Sequence, residues 1–162
     1  MTSATARFVF KNPIHTLAFG FGSGLASRAP GTVGTFAALP IWYLMSEFFS
    51  FGVLAAIVAV AFLLGIWICG YTSRALGVHD HGGIVWDEFV GLWLTLLFLP
   101  ATFWSLVVGF MFFRLFDIWK PWPISFLDKH VHGGLGIMLD DVLAALPAAG
   151  LSLALLHLFT RF

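Results

Sequence analysis

The chain has 162 residues, of which 60% are hydrophobic and 10% charged, with a mean hydropathy of +0.96. Ordinary soluble domains carry roughly 25% charged residues, so a soluble fold of this length could not hide so much apolar surface. A formal net charge of zero leaves no basic field for nucleic acid, and a single cysteine, Cys69, excludes an intrachain disulfide or a cysteine-rich metal cage.

The length predicts one domain over residues 1–162, and the composition predicts an all-α polytopic membrane bundle. The N-terminal stretch holds Arg7, Lys11, Pro13, His15 and repeated glycines in place of a continuous apolar run, so no cleavable signal peptide is predicted. A spanning helix needs about 20 apolar residues to cross roughly 30 Å of hydrocarbon. Residues 35–49 are apolar except for Glu47, residues 51–71 carry no charge, and a short turn at 50–52 makes the two a helical hairpin. Residues 85–99 and 103–116 are apolar runs of about 15 residues, or roughly 22 Å of helix, too short to span unaided. Residues 142–159 form a further span. About five membrane helices are expected.

Five crossings place the N-terminus, residues 72–84 and residues 117–141 on one side. Seven of the eight basic residues lie there: Arg7, Lys11, Arg28, Arg74, Arg114, Lys120 and Lys129. By the positive-inside rule that side is cytoplasmic. Seven of the eight acidic residues join them, namely Asp80, Asp87, Glu88, Asp117, Asp128, Asp140 and Asp141, while Glu47 and Arg161 fall outside.

Three segments carry groups able to do chemistry. Residues 20–35, GFGSGLASRAPGTVGT, combine glycines with the hydroxyls of Ser23, Thr32 and Thr35. Such a loop can cradle an anion at a helix N-terminus, or serve as a flexible interfacial turn. Residues 79–91, HDHGGIVWDEFVG, set Asp87 and Glu88 at the start of a short helix. One of them can be explained as a dipole cap, two in succession less well, and adjacent side chains diverge by about 100° unless a cation draws them together. His79 and His81 read as interfacial hydrogen-bonding histidines rather than zinc ligands, since no third nitrogen or sulfur ligand accompanies them.

The third segment, residues 114–141, reads RLFDIWKPWPISFLDKHVHGGLGIMLDD. Arg114, Asp117 and Lys120 recur every three residues and line one helical face if the helix reaches Lys120 before Pro121. They are either a ladder of ion pairs or a functional row, and at a membrane boundary such charges are expensive to keep without a use. Trp119 and Trp122 suit the headgroup level. Asp128 and Lys129 read as a solvated pair. Gly133, Gly134 and Gly136 form a second glycine loop, after which Asp140 and Asp141 open the last membrane helix.

Taken together, these motifs resemble those of the phosphatidylglycerophosphatase A family. The resemblance runs from about Asn12 to Ala144 through APGTVGT, HDHGGIVWDEFVG, FDIWKPWPI and DKHVHGGLGIMLDD, in the family's order and spacing. It implies a multi-pass protein of the bacterial inner membrane with a cytoplasmic active site, magnesium dependence, and release of phosphate from phosphatidylglycerophosphate. The residues agree. Oxygen ligands without thiolates suit a hard cation such as Mg²⁺. The expected metal set is Asp87, Glu88, Asp117 and Asp141. Catalysis is assigned to Asp140, Asp141, Asp87 and Glu88, with Asp140 as candidate base for an attacking water; a covalent aspartyl-phosphate route stands beside it. Ser23, Thr32, Thr35, Arg114, Lys120 and Lys129 are the expected phosphate-binding groups. The rival readings are a transporter built on the same carboxylates and a noncatalytic membrane subunit. Transport would set the carboxylates near mid-bilayer, whereas all but Glu47 fall at expected helix ends.

Overall fold

The computed structural model describes residues 5–78 and 81–159, with Asp128 and Lys129 described by their backbone alone. Among these residues the structure is helices joined by short connections, without a strand. Two short helices come first, α1 (Ala6–Lys11) and α2 (Pro13–Ala18). They meet at Asn12, whose side chain caps α2 by accepting from the Ile14 N–H at 2.9 Å. A 3-10 segment (Gly20–Leu25) then leads to α3 (Pro30–Phe48), which starts on a proline whose missing N–H costs nothing at that position.

After the turn at Ser50 comes α4 (Phe51–Leu76), which stops at Gly77. There a φ of +72° lets the glycine N–H return to the Ser73 and Arg74 carbonyls. The chain continues through α5 (Trp86–Leu97), α6 (Phe103–Trp119), α7 (Ile124–His130) and α8 (Gly133–Phe159). At 1.5 Å per residue α4 and α8 reach about 40 Å. They are the two described helices long and apolar enough to cross a membrane.

The short α5 sits at the centre, packed against α3, α4, α6 and α8. Most of its side chains are buried, from Trp86 and Phe89 through Trp93 to Leu96. Sheathing by neighbours is what lets so short an apolar helix persist. The outer faces of the surrounding helices expose large apolar side chains, among them Phe36, Leu63, Met111 and Leu151. Large apolar side chains gathered on outer faces make a surface of the kind that lipid or a partner covers.

Three expectations need correction. Residues 133–136 are not a loop: they are the first turn of α8, so Asp140 and Asp141 lie two turns inside the helix rather than at its start. The reason is steric. A Cβ on Gly134 would overlap the Ile66 carbonyl of α4, so the glycines serve close helix approach here instead of chain flexibility. Likewise Thr32 and Thr35 belong to the first turns of α3, not to a glycine loop. The row of charges on α6 ends at Asp117, because the helix stops at Trp119 and Lys120 turns away with φ +43°.

Candidate active site

Four helix segments converge at one end of the bundle: the first turns of α3 and α5, the last turns of α6, and the third turn of α8. Asp87 and Glu88 occupy the second and third positions of α5. Asp141 reaches them from α8, across a contact that depends on Gly91. A Cβ there would lie 3.1 Å from the Asp141 Cβ and strike the Phe113 ring. Gly91 follows Glu88 by three and Asp87 by four, so it lies on the same face of α5.

The result is a compact acidic cluster. One ligand oxygen from each of Asp87, Glu88 and Asp141 lies within 4.8 Å of the others, the one group of three or more metal-ligating side chains among the described residues. Asp141 is 2% exposed. Glu88 Oε2 and Asp141 Oδ2 are buried and accept no hydrogen bond from any described residue. Buried carboxylate oxygens that lack donors are costly, and a cation satisfies them. Three carboxylates converging with no nitrogen or sulfur beside them suit a hard metal ion. The site can therefore hold a metal.

Cationic groups frame the acids. Arg114 pairs with Asp117 on the following turn of α6 and stands 3.7 Å from Glu88 Oε1. Its Nη1 also donates to Thr35 Oγ1 at 3.3 Å, and that hydroxyl donates in turn to the Gly31 carbonyl at 2.7 Å. Arg114 Nε is buried and without a partner among the described residues. Beside this group Lys120 forms an ion pair with Asp140, whose other oxygen accepts from the Asp141 N–H at 3.1 Å.

Gly31 was not foreseen as a site residue. A Cβ on it would run into Glu88 Oε1 and come within 3.3 Å of Arg114 Nη2. Only glycine lets the first turn of α3 press against the charges. No side chain caps that helix, because the preceding residue is Ala29, whose methyl group can accept no hydrogen bond. The first-turn amides therefore keep their capacity to bind an anion. The sequence signal was the glycine directly after Pro30, at the second position of a helix.

The expected site residues thus divide. Asp87, Glu88, Asp117, Asp141, Arg114 and Thr35 come together, with Lys120 and Asp140 paired alongside. Thr32 is half-buried one residue beyond Gly31. Ser23 is spent elsewhere, donating to the Gly20 carbonyl at 2.8 Å within its own turn. The side chains of Lys129 and Asp128 lie outside the described residues, as do His79 and Asp80. His81 accepts from the Gly83 N–H at 3.0 Å and rests against Phe19, a local role in its own turn.

Comparison with known proteins matches the sequence to a family. The family model described as Phosphatidylglycerophosphatase A matches residues 16–156. The Phosphatidylglycerophosphatase A of Escherichia coli (strain K12) is 49% identical over 91% of this chain and 86% of its own length. That of Haemophilus influenzae (strain Rd) is 46% identical over 85% of each. No solved structure matches the chain.

Proposed function

The chain belongs to the phosphatidylglycerophosphatase A family, and on that premise we propose that it hydrolyses the terminal phosphomonoester of phosphatidylglycerophosphate, giving phosphatidylglycerol and phosphate. The observation that carries the chemistry is the convergence of Asp87, Glu88 and Asp141 beside Arg114. The transport alternative has no support from the relatives: two bear the enzyme's name, and a third, from Bacteroides thetaiotaomicron and 38% identical over 77% of this chain, is named a putative phosphatidylinositol-3-phosphatase.

Asp87, Glu88 and Asp141 would hold Mg²⁺, with Asp117 in reserve as a further ligand and as the partner that aims Arg114. Bound magnesium supplies positive charge that polarises a phosphoryl oxygen and makes water a better nucleophile at neutral pH. Arg114 and the first-turn amides of α3 bind the phosphate oxygens, a preorganised arrangement that favours the more highly charged transition state. Thr35 holds the guanidinium in place. Asp140 takes the proton of the attacking water while Lys120 fixes its second oxygen. Lys129 and Thr32 are assigned to the phosphate path on the family motifs alone, and Ser23, bonded to the Gly20 carbonyl, is left out of it.

The protein is read as a multi-pass component of the bacterial inner membrane with the cluster on the cytoplasmic side. The two long apolar helices and the exposed apolar faces favour this reading. So does chain direction: α3, α5 and α8 begin, and α6 ends, at the cluster, as five alternating crossings require. The test is phosphate release from phosphatidylglycerophosphate in detergent micelles, with Mg²⁺ and with EDTA. Release that stops on chelation is expected. Absence of release at saturating Mg²⁺ refutes the assignment.

A further inference from the structure

A lipid phosphatase must seat hydrocarbon as well as phosphate, and one cleft of about 600 Å³ is shaped for it. Its wall is a single stripe of α4, where Gly52, Ala56, Val60 and Leu64 follow one another at intervals of four and so stack on one face. Its floor is Trp86 and Trp93 of α5, two turns apart. Every group that could make this floor polar is already engaged. The Trp86 indole N–H donates to the Ala61 carbonyl of α4, and that of Trp93 to the Ala38 carbonyl of α3, both at 3.1 Å. The two rings meet edge to face at 6.1 Å and present carbon alone. Their hydrogen bonds fasten α5 to both flanking helices, so the floor is rigid.

The cleft also has a direction. Its Leu64 end lies beside Trp86: a Cβ on the adjacent Gly65 would be 2.9 Å from that ring. Trp86 is the residue before Asp87, so this end of the cleft lies at the same level of α5 as the acidic cluster, one residue away along the helix. The other end, at Gly52, is open space. From Leu64 to Gly52 is about 18 Å along α4, more than half of the roughly 30 Å hydrocarbon thickness. The volume falls within the roughly 300–1,000 Å³ of small-molecule sites.

We propose that this cleft holds one acyl chain of the lipid substrate, running from the phosphate site at Asp87 down α4 toward Gly52. The proposal rests on the lipid phosphatase reading above. It identifies the cleft as the element that orients the headgroup, since a chain seated there leaves the phosphate free only on the side of the carboxylates.

Val60→Trp and Ala56→Phe fill the cleft, and Leu63→Trp adds the same bulk on an exposed position of α4 outside it. The readout is the ratio of kcat/KM between dipalmitoyl and dihexanoyl phosphatidylglycerophosphate. Filling the cleft should lower that ratio at least about tenfold, the loss expected when about two methylenes are forced out. Leu63→Trp should leave it unchanged. Ratios unchanged in all three variants overturn the acyl seat while the phosphatase reading stands. If the unaltered protein releases phosphate from neither lipid, it is the phosphatase reading that fails. A second measurement needs no turnover: phosphatidylglycerol with a diazirine near the end of one chain should photolabel peptides covering residues 52–64. Label confined to other helices overturns the proposal. So does efficient disulfide crosslinking between copies through Val60→Cys in a Cys69→Ala background, which would make the cleft's occupant a second copy.

Discussion

Asp141→Asn separates charge from shape more cleanly than any other change at the site. The amide is nearly isosteric, and Asp141 is buried at the meeting of α5 and α8. Two full negative charges 4.8 Å apart, the outer limit of the cluster, repel by about 3.5 kcal/mol at an effective dielectric constant of about 20. A cation turns that cost into attraction. Removing one charge should therefore leave the fold at least as stable in EDTA while weakening the hold on Mg²⁺. Loss of transition-state stabilisation of about 2.7 kcal/mol, modest for a metal ligand, lowers kcat about a hundredfold. Phosphate release at saturating Mg²⁺ measures the first effect. Thermal melts with Mg²⁺ and with EDTA measure the second: the metal should raise Tm of the unaltered protein by preferential binding to the native state, and raise that of Asp141→Asn less. Near-normal turnover in Asp141→Asn, or equal Mg²⁺-induced shifts in both proteins, would refute the metal assignment.

Gly31→Ala drives a methyl group into Glu88 and Arg114. It should cut kcat/KM by about ten- to a hundredfold through misplacement alone, with Tm held because alanine favours the helix by about 0.5–1 kcal/mol. Gly134→Val meets the Ile66 carbonyl, which cannot rotate away; overpacking of this kind costs about 1–3 kcal/mol, seen as a lowered Tm. Burial holds the His15 imidazole, bonded to Thr72 and stacked on Phe8, below its ordinary value. The native state thus refuses a proton that the unfolded chain accepts below about pH 6.5, so stability is intact at neutral pH and falls as pH drops toward the lowered native value. Melts at about pH 7.5 and pH 5 should show a smaller acid loss in His15→Gln. For topology, an impermeant thiol reagent on intact cells should label Ser50→Cys but not Ser27→Cys in a Cys69→Ala background; the reverse pattern inverts the orientation.

Much of the site was legible because charge in an apolar chain is conspicuous. Asp87, Glu88 and Asp141 stood out against their surroundings, and their motif positions alone grouped them. The uncharged helix α4 was equally plain, apart from its last turn to Leu76. What escaped detection depends on neighbours distant in sequence. Glycines at 133–136 read as a loop because in water glycine favours one; here they begin a helix because α4 lies too close for any side chain. Lys120 continued a three-residue pattern on paper, yet its partner is Asp140, twenty residues on. Ser23 shared a glycine-rich stretch with Thr35 but faces its own turn, since a hydroxyl three residues from a free carbonyl bonds locally.

The brevity of α5 has a consequence for how the protein is made. A helix of about 18 Å is too short to cross roughly 30 Å of hydrocarbon by itself, so its place in the fold depends on the neighbours that enclose it. Two of the three clustered acids ride on α5, and the third arrives only with α8, the last of the described helices. A chain that stops short of α8 therefore lacks the third carboxylate of the cluster.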